Sequence, residues 1–599
     1  MIKLSDYVVK FLKQAGLGHI FMLTGGGCMH LVDSVGRSEI EYVCCLHEQA
    51  CAFAAQSYSE YKNDLGAALV TTGPGGTNAV TGVAAAWLDS SSTIFISGQV
   101  KRADLLHTRK VRSMGPQEVD IISIVSPITK YAVTVLEPKD IRYHLEKALH
   151  LARSGRRGPV WIDLPLDVQA AMIDEDLLRR FSSETPAPRG DALGQAVAET
   201  LKLLEHAERP VLYLGNGARN ARQSGTVEAL IEALKIPVLI SWKAIDFIPE
   251  DNRFYAGRPG AIGQRGANFT QQNSDLIIVI GARLDLPSVA FSHQNFARAA
   301  RKVIVDIDPA EISKFEMPID VPVVATAEAF IDEMLRQLPS AKTGKWAEWN
   351  SRAQDWKARY PVVISEYRQD RKGTVNLYTL IDALSDAAGE NDLLTPGSSG
   401  PCSEVFLQAW RVKKGQRIVN APSLGAMGTG LPGSIGACVA SGLRRTICVN
   451  GDGGFQLNIQ DLESVRRLNL PIKYFILCNG TYASIMTTQQ NYFQGRMVGS
   501  DPSSRLTLPD IRKVAEAYGI MTSEIVDHAG IHEGVRAVLD SLGPAVCAVH
   551  VSSDQVAAPR TTSSVRPDGT IVSLPMEDLA PRLPREEFLA NMIVTPLPE

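Results

Sequence analysis

The sequence predicts an α/β protein with three doubly wound parallel-sheet domains and a proline-rich C-terminal arm. Short apolar runs of strand character alternate with amphipathic helical patterns through most of the 599 residues. Several of these runs end in glycine-rich turns, at the strand ends where parallel sheets bind ligands. At roughly 150 residues per domain, the length allows three large domains or four smaller ones.

The first domain is predicted at residues 1–181. The opening stretch, MIKLSDYVVKFLKQAG, predicts an amphipathic helix with Ser5 as its N-cap. Strands are predicted at 20–23, 40–44, 67–70, 93–97 and 160–164. The polar, proline-rich stretch 182–191 predicts a linker.

The second domain is predicted at 192–338, with strands at 211–214, 276–280 and 303–305. A second boundary at 339–346 leads into a tryptophan- and charge-rich helix over 346–370. The third domain is predicted at 374–557 and ends with a strand at 545–551. The arm, 558–599, contains too many prolines for a domain of its own.

Composition narrows the class of partner. The net charge of −4 gives no electrostatic reason to expect nucleic acid or an anionic membrane as a partner. The nine cysteines contain no CxxC pair, and several lie in apolar runs, which is typical of reduced core residues. The N-terminus lacks the apolar core of a signal peptide, and no apolar run is long enough to span a bilayer. We therefore expect a cytoplasmic enzyme acting on small molecules.

The stretch 446–481 is the most informative part of the chain. A predicted strand at 446–450 runs directly into Gly451-Asp452-Gly453-Gly454. A helix is then predicted, with apolar residues at every third position (Ile459, Leu462, Val465, Leu468) and Pro471 as its end. The next predicted strand, 472–478, is followed at once by Asn479.

This spacing suits a diphosphate and a divalent cation. Glycines let the backbone approach phosphate oxygens, and N–H groups at a helix start attract anions. Asp452 and Asn479 offer the oxygen ligands that Mg²⁺ prefers, and neighbouring parallel strands would bring them together. The alternative is a glycine-rich βα turn without a special role, because short glycine motifs are weak evidence.

The stretch resembles the thiamine diphosphate motif of enzymes that use this coenzyme. The resemblance implies that Asp452, Asn479 and the carbonyl of Thr481 bind Mg²⁺. It also implies that Gly451, Gly453 and Gly454 lie at the diphosphate. The family usually has Asn-Asn where this chain has Cys478-Asn479, but the ligand is the second residue of the pair.

Thiamine chemistry also needs a carboxyl group that protonates N1' of the aminopyrimidine, so that the coenzyme can lose its C2 proton. A poorly solvated glutamate suits this role, because burial raises a carboxyl pKa. Glu48 is the candidate, since it follows a strand and opens an alanine-rich helix. The alternative is a glutamate stabilised by the helix dipole. CLHEQACAFAAQSYSEY resembles the segment of acetolactate synthase that carries the catalytic glutamate, which supports the catalytic role.

Further segments resemble that family in the same order along the chain. TTGPGGTNAVTGVAAAWLDS resembles a pyrimidine-domain loop with Pro74 and Asn78 near the coenzyme. Gln117, in SMGPQEVDIISIVSPITKYAV, matches the active-site glutamine, and Lys130 matches a family lysine. LTGGG, which includes Gly26, matches the segment near the reacting carbon.

The third domain adds two more segments. SLGAMGTGLPGSIGA (423–437) resembles the segment that holds the aminopyrimidine, where the carbonyl of Gly425 accepts from the 4'-amino group. There Met427 props the coenzyme in its bent shape. For Met427 alone, core packing is the plainer interpretation. Ser398, Ser399 and Gly400 follow a predicted strand and are expected to help hold the diphosphate.

Acetolactate synthases also bind FAD in the middle domain, so the resemblance implies FAD as a further cofactor. Gly215, Gly217, Gly281, Arg283 and the stretch 306–312 match that domain. At 285–287, however, the chain reads Asp-Leu-Pro, and the expected basic residue is absent.

A second departure concerns the acceptor. Aligned from Asn479, the family's acceptor-side tryptophan falls on Thr488, which predicts a wider pocket. The following loop and the tail look like a subgroup associated with surface-polysaccharide and deoxysugar pathways. Arg496, Arg560 and Arg566 could then meet an anionic acceptor, although exposed arginines are usually only solvated.

Together, these features predict a carboligase that needs thiamine diphosphate and Mg²⁺. It would decarboxylate a 2-oxo acid, pyruvate above all, and transfer the acyl unit to a carbonyl acceptor such as a keto-sugar. The alternatives are acetolactate synthase proper, another 2-oxo acid decarboxylase and a non-catalytic scaffold. Retention of Glu48, Asp452 and Asn479 argues against the scaffold. The resemblance implies a homodimer or homotetramer with each site between two subunits.

Overall fold

The computed structural model describes residues 1–106, 109–183, 191–338, 345–369, 372–565 and 570–597. It contains three six-stranded sheets in which every strand pair is parallel. Helices cover the sheets, as parallel strands require, because each crossover needs a connecting segment. The predicted α/β class is confirmed.

The first sheet has the order β3-β2-β4-β5-β7-β6. Its strands are β2 (His19–Met22), β3 (Glu41–Cys44), β4 (Gly66–Val70), β5 (Thr93–Gln99), β6 (Tyr131–Thr134) and β7 (Val160–Pro165), beside a small pair β1 (Ile2–Lys3) and β8 (Met172–Ile173). Its helices are α1 (Leu4–Gln14), α2 (Met29–Gly36), α3 (Glu48–Lys62), α4 (Pro74–Leu88), α5 (Ile121–Val125), α6 (Ile141–Arg153) and α7 (Leu166–Gln169).

The middle sheet has the order β11-β10-β9-β12-β13-β14, which is the strand order typical of dinucleotide-binding folds. Its strands are β9 (Pro210–Leu214), β10 (Val238–Ile240), β11 (Tyr255–Gly257), β12 (Leu276–Ile280), β13 (Arg301–Asp306) and β14 (Val321–Val324). Its helices are α8 (Ala192–His206), α9 (Arg219–Ser224), α10 (Thr226–Leu234), α11 (Arg265–Gln272), α12 (Pro309–Ser313), α13 (Ala327–Gln337) and α14 (Ala347–Arg359).

The third sheet has the order β16-β15-β17-β18-β20-β19. Its strands are β15 (Leu393–Leu394), β16 (Arg417–Ile418), β17 (Thr446–Gly451), β18 (Ile472–Cys478), β19 (Met521–Ile525) and β20 (Ala545–His550). The helices of this part of the chain are α15 (Leu377–Ala387), α16 (Pro401–Ala409), α17 (Gly430–Ala440), α18 (Asp452–Gln456), α19 (Leu462–Arg467), α20 (Ala483–Tyr492), α21 (Ile511–Ala517) and α22 (Ile531–Asp540). Counted from its own first strand, the third sheet repeats the strand order of the first.

The chain divides into two compact units. One unit contains the first and third sheets, and the other contains the middle sheet and the C-terminal arm. In the first unit, one apolar core runs from Phe95 and Trp161 of the first sheet to Tyr474 of the third. Helices α3 and α17 cross within that core so closely that a Cβ atom at Gly436 would lie 2.0 Å from the carbonyl oxygen of Ala54.

The arm is ordered where the structure describes it. It forms a hairpin of β21 (Ser563–Val565) and β22 (Ile571–Ser573), followed by α23 (Arg585–Asn591). Phe588 is buried in the core of the middle sheet, and the Trp356 indole donates to Asn591 (2.8 Å). The arm thus completes the second unit.

Three local predictions were wrong. Ser5 does not cap α1, because Lys3 holds that position and the buried Ser5 hydroxyl instead accepts from Ser34 (2.9 Å). The helix predicted over 346–370 ends at Arg359 and is followed by a separate 3-10 turn, Ser365–Arg368. The helix predicted after the GDGG motif is broken into α18, a 3-10 turn at Ile459–Asp461, and α19. The predicted linker at 182–191 and the boundary at 339–346 fall largely on 184–190 and 339–344, outside the described residues.

Among the described residues, none of the helices has both the length and the apolar character that crossing a membrane requires.

Candidate active site

Asp452 and Asn479 lie together at the carboxyl end of the third sheet. Asp452 follows β17, Asn479 follows β18, and these strands are paired neighbours. The buried Asp452 carboxylate accepts from the N–H groups of Gly453 (2.8 Å), Asn479 (3.1 Å) and Gly480 (2.9 Å). The aspartate therefore fixes the turn that carries the amide, as the spacing predicted.

The electrostatics of Asp452 leave it suited to a cation. Burial raises the pKa of its carboxyl group, and the three backbone N–H groups act in the opposite direction. The Asn479 amide oxygen accepts from the N–H and hydroxyl groups of Thr481 (3.0 and 3.2 Å). A bound cation would favour the ionised carboxylate, because it supplies the opposite charge that the buried site lacks.

The glycines of the motif have different roles. A Cβ atom at Gly453 would lie 2.4 Å from ring carbon Cε1 of Tyr482, so this glycine makes room for an aromatic ring. A Cβ atom at Gly451 would have nothing within 4 Å, so its backbone is open to close approach. Asn450, near the end of β17, lies beside Gly454, because a Cβ atom at Gly454 would be 3.3 Å from the Asn450 amide oxygen.

A buried hydroxyl group lies at the end of the neighbouring strand. Ser398 follows β15, is buried, and its Oγ has no hydrogen-bond partner among the described residues. The carbonyl of Ser399 accepts from Cys402 (3.1 Å), and a Cβ atom at Gly400 would lie 3.0 Å from the Ser484 hydroxyl at the start of α20. Ser398 therefore has an unfilled capacity to donate, which a bound anion would fill.

The segment before α17 lies beside these residues. Gly425 and Gly428 both have positive φ angles, of 65° and 85°, which favour glycine. A Cβ atom at Gly425 would lie 3.7 Å from the Ser398 carbonyl oxygen. The Met427 methyl carbon lies 3.7 Å from the Cβ position of Gly453. The predicted Met427, Gly425, Ser398 and Gly453 are thus brought together.

Glu48 opens α3 and is buried, with His47 as the N-cap. Its carboxylate accepts from the side-chain amide of Asn78 (3.0 Å), which lies on α4. Asn78 was itself a predicted site residue, and Pro74 is the first residue of its helix.

The next residue, Gln49, links the two sheets. The side-chain amide of Asn458 donates to both the Gln49 amide oxygen (3.0 Å) and the Gly428 carbonyl (2.8 Å). The start of α3 therefore lies against the segment of Met427 within one chain. Neither Gln49 nor Asn458 was predicted as a site residue. Gln49 directly follows Glu48, and Asn458 lies within the stretch 446–481, but only the fold shows that their side chains meet.

Gln117 and Gly26 approach the same edge of the first sheet. Gln117 is exposed, has a φ angle of +66°, and its carbonyl oxygen would lie 2.5 Å from a Cβ atom at Gly73, the residue before Pro74. The turn around Gly26 packs on the residues after β4, because a Cβ atom at Gly27 would lie 1.7 Å from the Thr72 hydroxyl oxygen.

Lys130 is not brought to this edge. It precedes β6 at the amino end of the sheet, where its ammonium group donates to the Ser154 carbonyl (2.7 Å), and burial lowers its pKa.

Comparison with known proteins identifies the family. The thiamine pyrophosphate enzyme N-terminal TPP binding domain matches residues 2–124, the central domain matches 197–334, and the C-terminal TPP binding domain matches 398–549. The chain belongs to the thiamine pyrophosphate enzyme family. Its three sheets correspond in order to the three domains of that family.

Several curated relatives are acetolactate synthases. The isozyme 1 large subunit of Escherichia coli (strain K12) is 30% identical over 559 residues, covering 93% of this chain and 95% of that protein. The enzyme of Arthrospira platensis is 31% identical over 573 residues (92% and 94%). The large subunit of Pyropia yezoensis is 30% identical over 553 residues (90% of each). This thiamine pyrophosphate enzyme is therefore acetolactate synthase-like over nearly its whole length.

The residues present fit thiamine diphosphate. The open backbone at Gly451 and the unpartnered Ser398 hydroxyl suit a diphosphate, and Asp452 with Asn479 suits its cation. No group of three or more His, Cys, Asp or Glu side chains suited to a metal occurs among the described residues. A site built from one carboxylate, one amide and one carbonyl is compatible with that finding.

Two observations on the middle domain bear on FAD, and they point in opposite directions. Its strand order reverses between β9 and β12, where a dinucleotide would bind. There, however, the Gly217 N–H donates to the Gly281 carbonyl (2.9 Å), and a Cβ atom at Gly215 would lie 2.2 Å from the same oxygen. These glycines join two loops of the protein. That contact engages the Gly217 N–H group within the protein.

Two of the predicted acceptor-side residues, Thr488 and Arg496, are exposed. Thr488 is exposed on α20, and its hydroxyl donates to the Ser484 carbonyl one turn earlier (3.0 Å). Ile485 and Tyr492, on the same helix, are about half exposed. Arg496 is exposed in the following loop, Arg560 is half-buried in the second unit, and Arg566 lies outside the described residues.

Proposed function

We propose that this enzyme is a carboligase that depends on thiamine diphosphate and Mg²⁺. It decarboxylates a 2-oxo acid, most naturally pyruvate, and transfers the acyl unit to a carbonyl acceptor. The observation that carries the proposal is the presence of Glu48–Asn78 and Asp452–Asn479 in one compact unit, with Gln49, the neighbour of Glu48, joined to Gly428 through the Asn458 side chain. The acetolactate synthase relatives support the same reaction class.

Each site residue has a separate task in this proposal. Thiamine diphosphate, when bound, supplies the carbanion chemistry, so no side chain has to act as a nucleophile. Glu48 holds a proton at N1' of the aminopyrimidine, and Asn78 orients that carboxyl group through its amide. The Gly425 carbonyl would accept from the 4'-amino group, and Met427 would pack against the coenzyme. Asp452, Asn479 and the Thr481 carbonyl hold the cation, while Ser398 donates to the diphosphate.

Gln117 and Gly26 complete the substrate side in this proposal. Both lie at the carboxyl end of the first sheet, which is the same edge that presents Pro74 and Asn78. A side-chain amide at that place can hydrogen-bond the substrate carboxylate or carbonyl oxygen.

Two acceptors are open to test. The exposed hydroxyl groups of Ser484 and Thr488 on one face of α20 favour a polar acceptor larger than a 2-oxo acid, such as a keto-sugar. The names of the relatives favour a second pyruvate, which would make 2-acetolactate.

The experiment is incubation with thiamine diphosphate, Mg²⁺ and pyruvate, with and without candidate keto-sugars, followed by product mass analysis. Release of CO₂ together with an acceptor-derived product two carbons heavier supports a sugar acceptor. 2-Acetolactate alone supports the second candidate. Absence of CO₂ from every 2-oxo acid tried would refute the proposal, with Glu48→Gln as the inactive control.

The assembly is proposed to be a homodimer or homotetramer, and subunit mixing tests which chain supplies Glu48. If each site joins two subunits, a mixture of Glu48→Gln and Asp452→Asn chains, dissociated and reassembled, regains activity in mixed dimers. If Glu48 serves Asp452 of its own chain, as the Asn458 bridge between Gln49 and Gly428 allows, the mixture stays inactive. Flavin absorbance of the purified protein decides the separate proposal that FAD occupies the middle domain.

A further inference from the structure

Asp163 is a buried carboxylate for which the proposed reaction has no use. It lies on β7, directly between Ser97 of β5 and Thr134 of β6. One oxygen, Oδ1, accepts from the Ser97 hydroxyl (2.6 Å), and the other, Oδ2, accepts from Thr134 (2.9 Å) and from the side-chain amide of Gln99 (3.2 Å). Its side chain is fully buried, so every polar contact it makes comes from the protein.

Gln99 connects this carboxylate to the chain around Gln117. Besides Asp163, its side-chain NH₂ group donates to the Val119 carbonyl (3.0 Å), and its amide oxygen accepts from the Val100 N–H (3.0 Å). Gln99 is itself buried, and all these bonds have definite donors and acceptors. Its amide therefore cannot turn over without breaking bonds on both sides.

The chain before Val119 needs such support. Gln117 has a left-handed backbone (φ +66°), which costs free energy in a residue other than glycine. The buried Glu118 carboxylate ties this turn from inside, since it accepts from the N–H groups of Leu106 (2.8 Å) and Met114 (3.0 Å). Gln99 ties the turn to the sheet. The Gln117 carbonyl then packs on Gly73, next to Pro74 and the helix that carries Asn78.

We propose that Asp163, acting through Gln99, is a positioning residue that holds Gln117 against Gly73 at the edge of the active site. As a statement about catalysis, this rests on the proposed function. As a statement about the turn, it stands on the hydrogen bonds alone.

The role does not depend on the charge of Asp163. Burial raises its pKa to about 7, and Asp120 is the other carboxylate that acts in the same direction. If Oδ1 carried a proton, Oδ2 could still accept from Gln99, as it does in the ionised form. What Gln99 needs is an acceptor at that place, which an aspartate supplies in both forms.

Asp163→Leu tests this requirement, because leucine has a similar shape and no acceptor. Asparagine keeps one, since its amide oxygen can take the place of Oδ2 while its NH₂ group takes the place of Oδ1. In Asp163→Leu, the Gln99 NH₂ group loses one of its two acceptors, and the amide can turn away from Val119. We expect kcat/KM for pyruvate to fall about tenfold, because small displacements of positioning groups are costly. Trypsin should cut the exposed Arg109, Lys110 and Arg112 about fivefold faster, the factor that corresponds to one hydrogen bond.

Asparagine at the same position separates positioning from the mere loss of the aspartate. In Asp163→Asn, the amide oxygen can take the place of Oδ2 and accept from Thr134 and Gln99, so trypsin sensitivity and kcat/KM should stay near those of the wild type. Equal losses in Asp163→Asn and Asp163→Leu would overturn the proposal, because Gln99 would then not need an acceptor at that place.

Two further variants keep the test decisive. Asp120→Asn changes a nearby exposed carboxylate that caps α5, and should match the wild type in both assays. If Asp163→Leu does not fold, Gln99→Met removes the tie to Val119 and leaves Ser97 and Thr134 on Asp163. Unchanged trypsin cutting in Gln99→Met would also overturn the proposal. If the wild type fails to decarboxylate any 2-oxo acid, the proposed function fails, yet the trypsin results still decide the role of Asp163 in the turn.

Discussion

Asp452→Asn should separate the stability of the empty site from its ability to hold the cofactor. The wild-type carboxylate accepts one N–H on Oδ1, from Gly453, and two on Oδ2, from Asn479 and Gly480. An asparagine can keep the two bonds at Oδ2 if its NH₂ group takes the place of Oδ1. That NH₂ group then faces the Gly453 N–H, so two hydrogen-bond donors oppose each other.

The cost of that change to the empty protein is limited. One hydrogen bond to a charged acceptor, about 1.5–3 kcal/mol, is lost. Part of that is offset, because burial disfavours the wild-type charge, as the raised pKa of Asp452 shows. The bound state loses more, since the cation loses its only charged ligand in the proposed set. At a cofactor concentration of about 100 times Kd, wild-type protein gains about 2.7 kcal/mol from binding, and the variant should gain almost none.

Thermal unfolding with and without thiamine diphosphate and Mg²⁺ measures both quantities. In domains of this size, about 2.7 kcal/mol corresponds to a rise of roughly 5–10 °C in the unfolding midpoint. We expect that rise in the wild type and its loss in Asp452→Asn, with the two empty proteins within a few degrees. Asp510→Asn, at an exposed helix cap, is the matched control. A full cofactor-induced rise in Asp452→Asn would refute the assignment of this carboxylate to the cation.

Three other predictions concern the acceptor, the packing and the pH response. Thr488→Trp should shift product formation toward small 2-oxo acid acceptors, because an indole would crowd the exposed face of α20; an identical product profile would refute the acceptor argument. Gly436→Ala should lower the free energy of unfolding, measured in urea, by about 1–3 kcal/mol, because its methyl group would overlap the Ala54 carbonyl at the helix crossing. Asp163 keeps its proton up to about pH 7 when folded but loses it near pH 3.8 when unfolded, so the wild type should lose stability as pH rises through that window. Between pH 5 and 8, the free energy of unfolding of the wild type, measured in urea, should fall by about 3 kcal/mol relative to that of Asp163→Asn. Parallel pH curves of the two proteins would contradict this prediction.

The strands were the most predictable part of the fold. The strand Ile472–Cys478 has the predicted limits, because a buried parallel strand is a continuous apolar run and Pro471 marks its start. The strand order could not be predicted, since it depends on pairing between distant residues. The repeated order of the first and third sheets therefore became visible only in the structure.

The broken helix after the GDGG motif shows why local patterns fail near a site. Ile459, Leu462, Val465 and Leu468 have a helical spacing, but the chain leaves the helix at Leu457. Asn458 instead bonds to Gln49 and Gly428, which are distant in sequence. Because Asn458 bonds to two partners distant in sequence, the chain leaves the helix there, although the apolar residues on either side have a helical spacing.

Candidate site residues could be proposed from the sequence where chemistry demands particular residue types. Asp452, Asn479 and Glu48 were singled out because a cation and a coenzyme acid restrict the choice of side chain. Tyr482, which covers Gly453, was missed, because an aromatic ring after the motif has no sequence signature of its own. The environment of Asp163 on β7 was also missed, since its partners lie on two other strands, β5 and β6, that are distant in sequence.

Proton exchange at C2 of the bound coenzyme tests the central claim most directly. In Glu48→Gln, the amide oxygen can still accept from Asn78, so the fold and the cofactor-induced thermal shift should be retained. Deuterium exchange at C2, followed by quenched-flow NMR, should be fast in the wild type and in the exposed control Glu41→Gln. We expect Glu48→Gln to lower the rate of exchange to that of free thiamine diphosphate. Wild-type exchange in Glu48→Gln, with the coenzyme bound, would contradict the account.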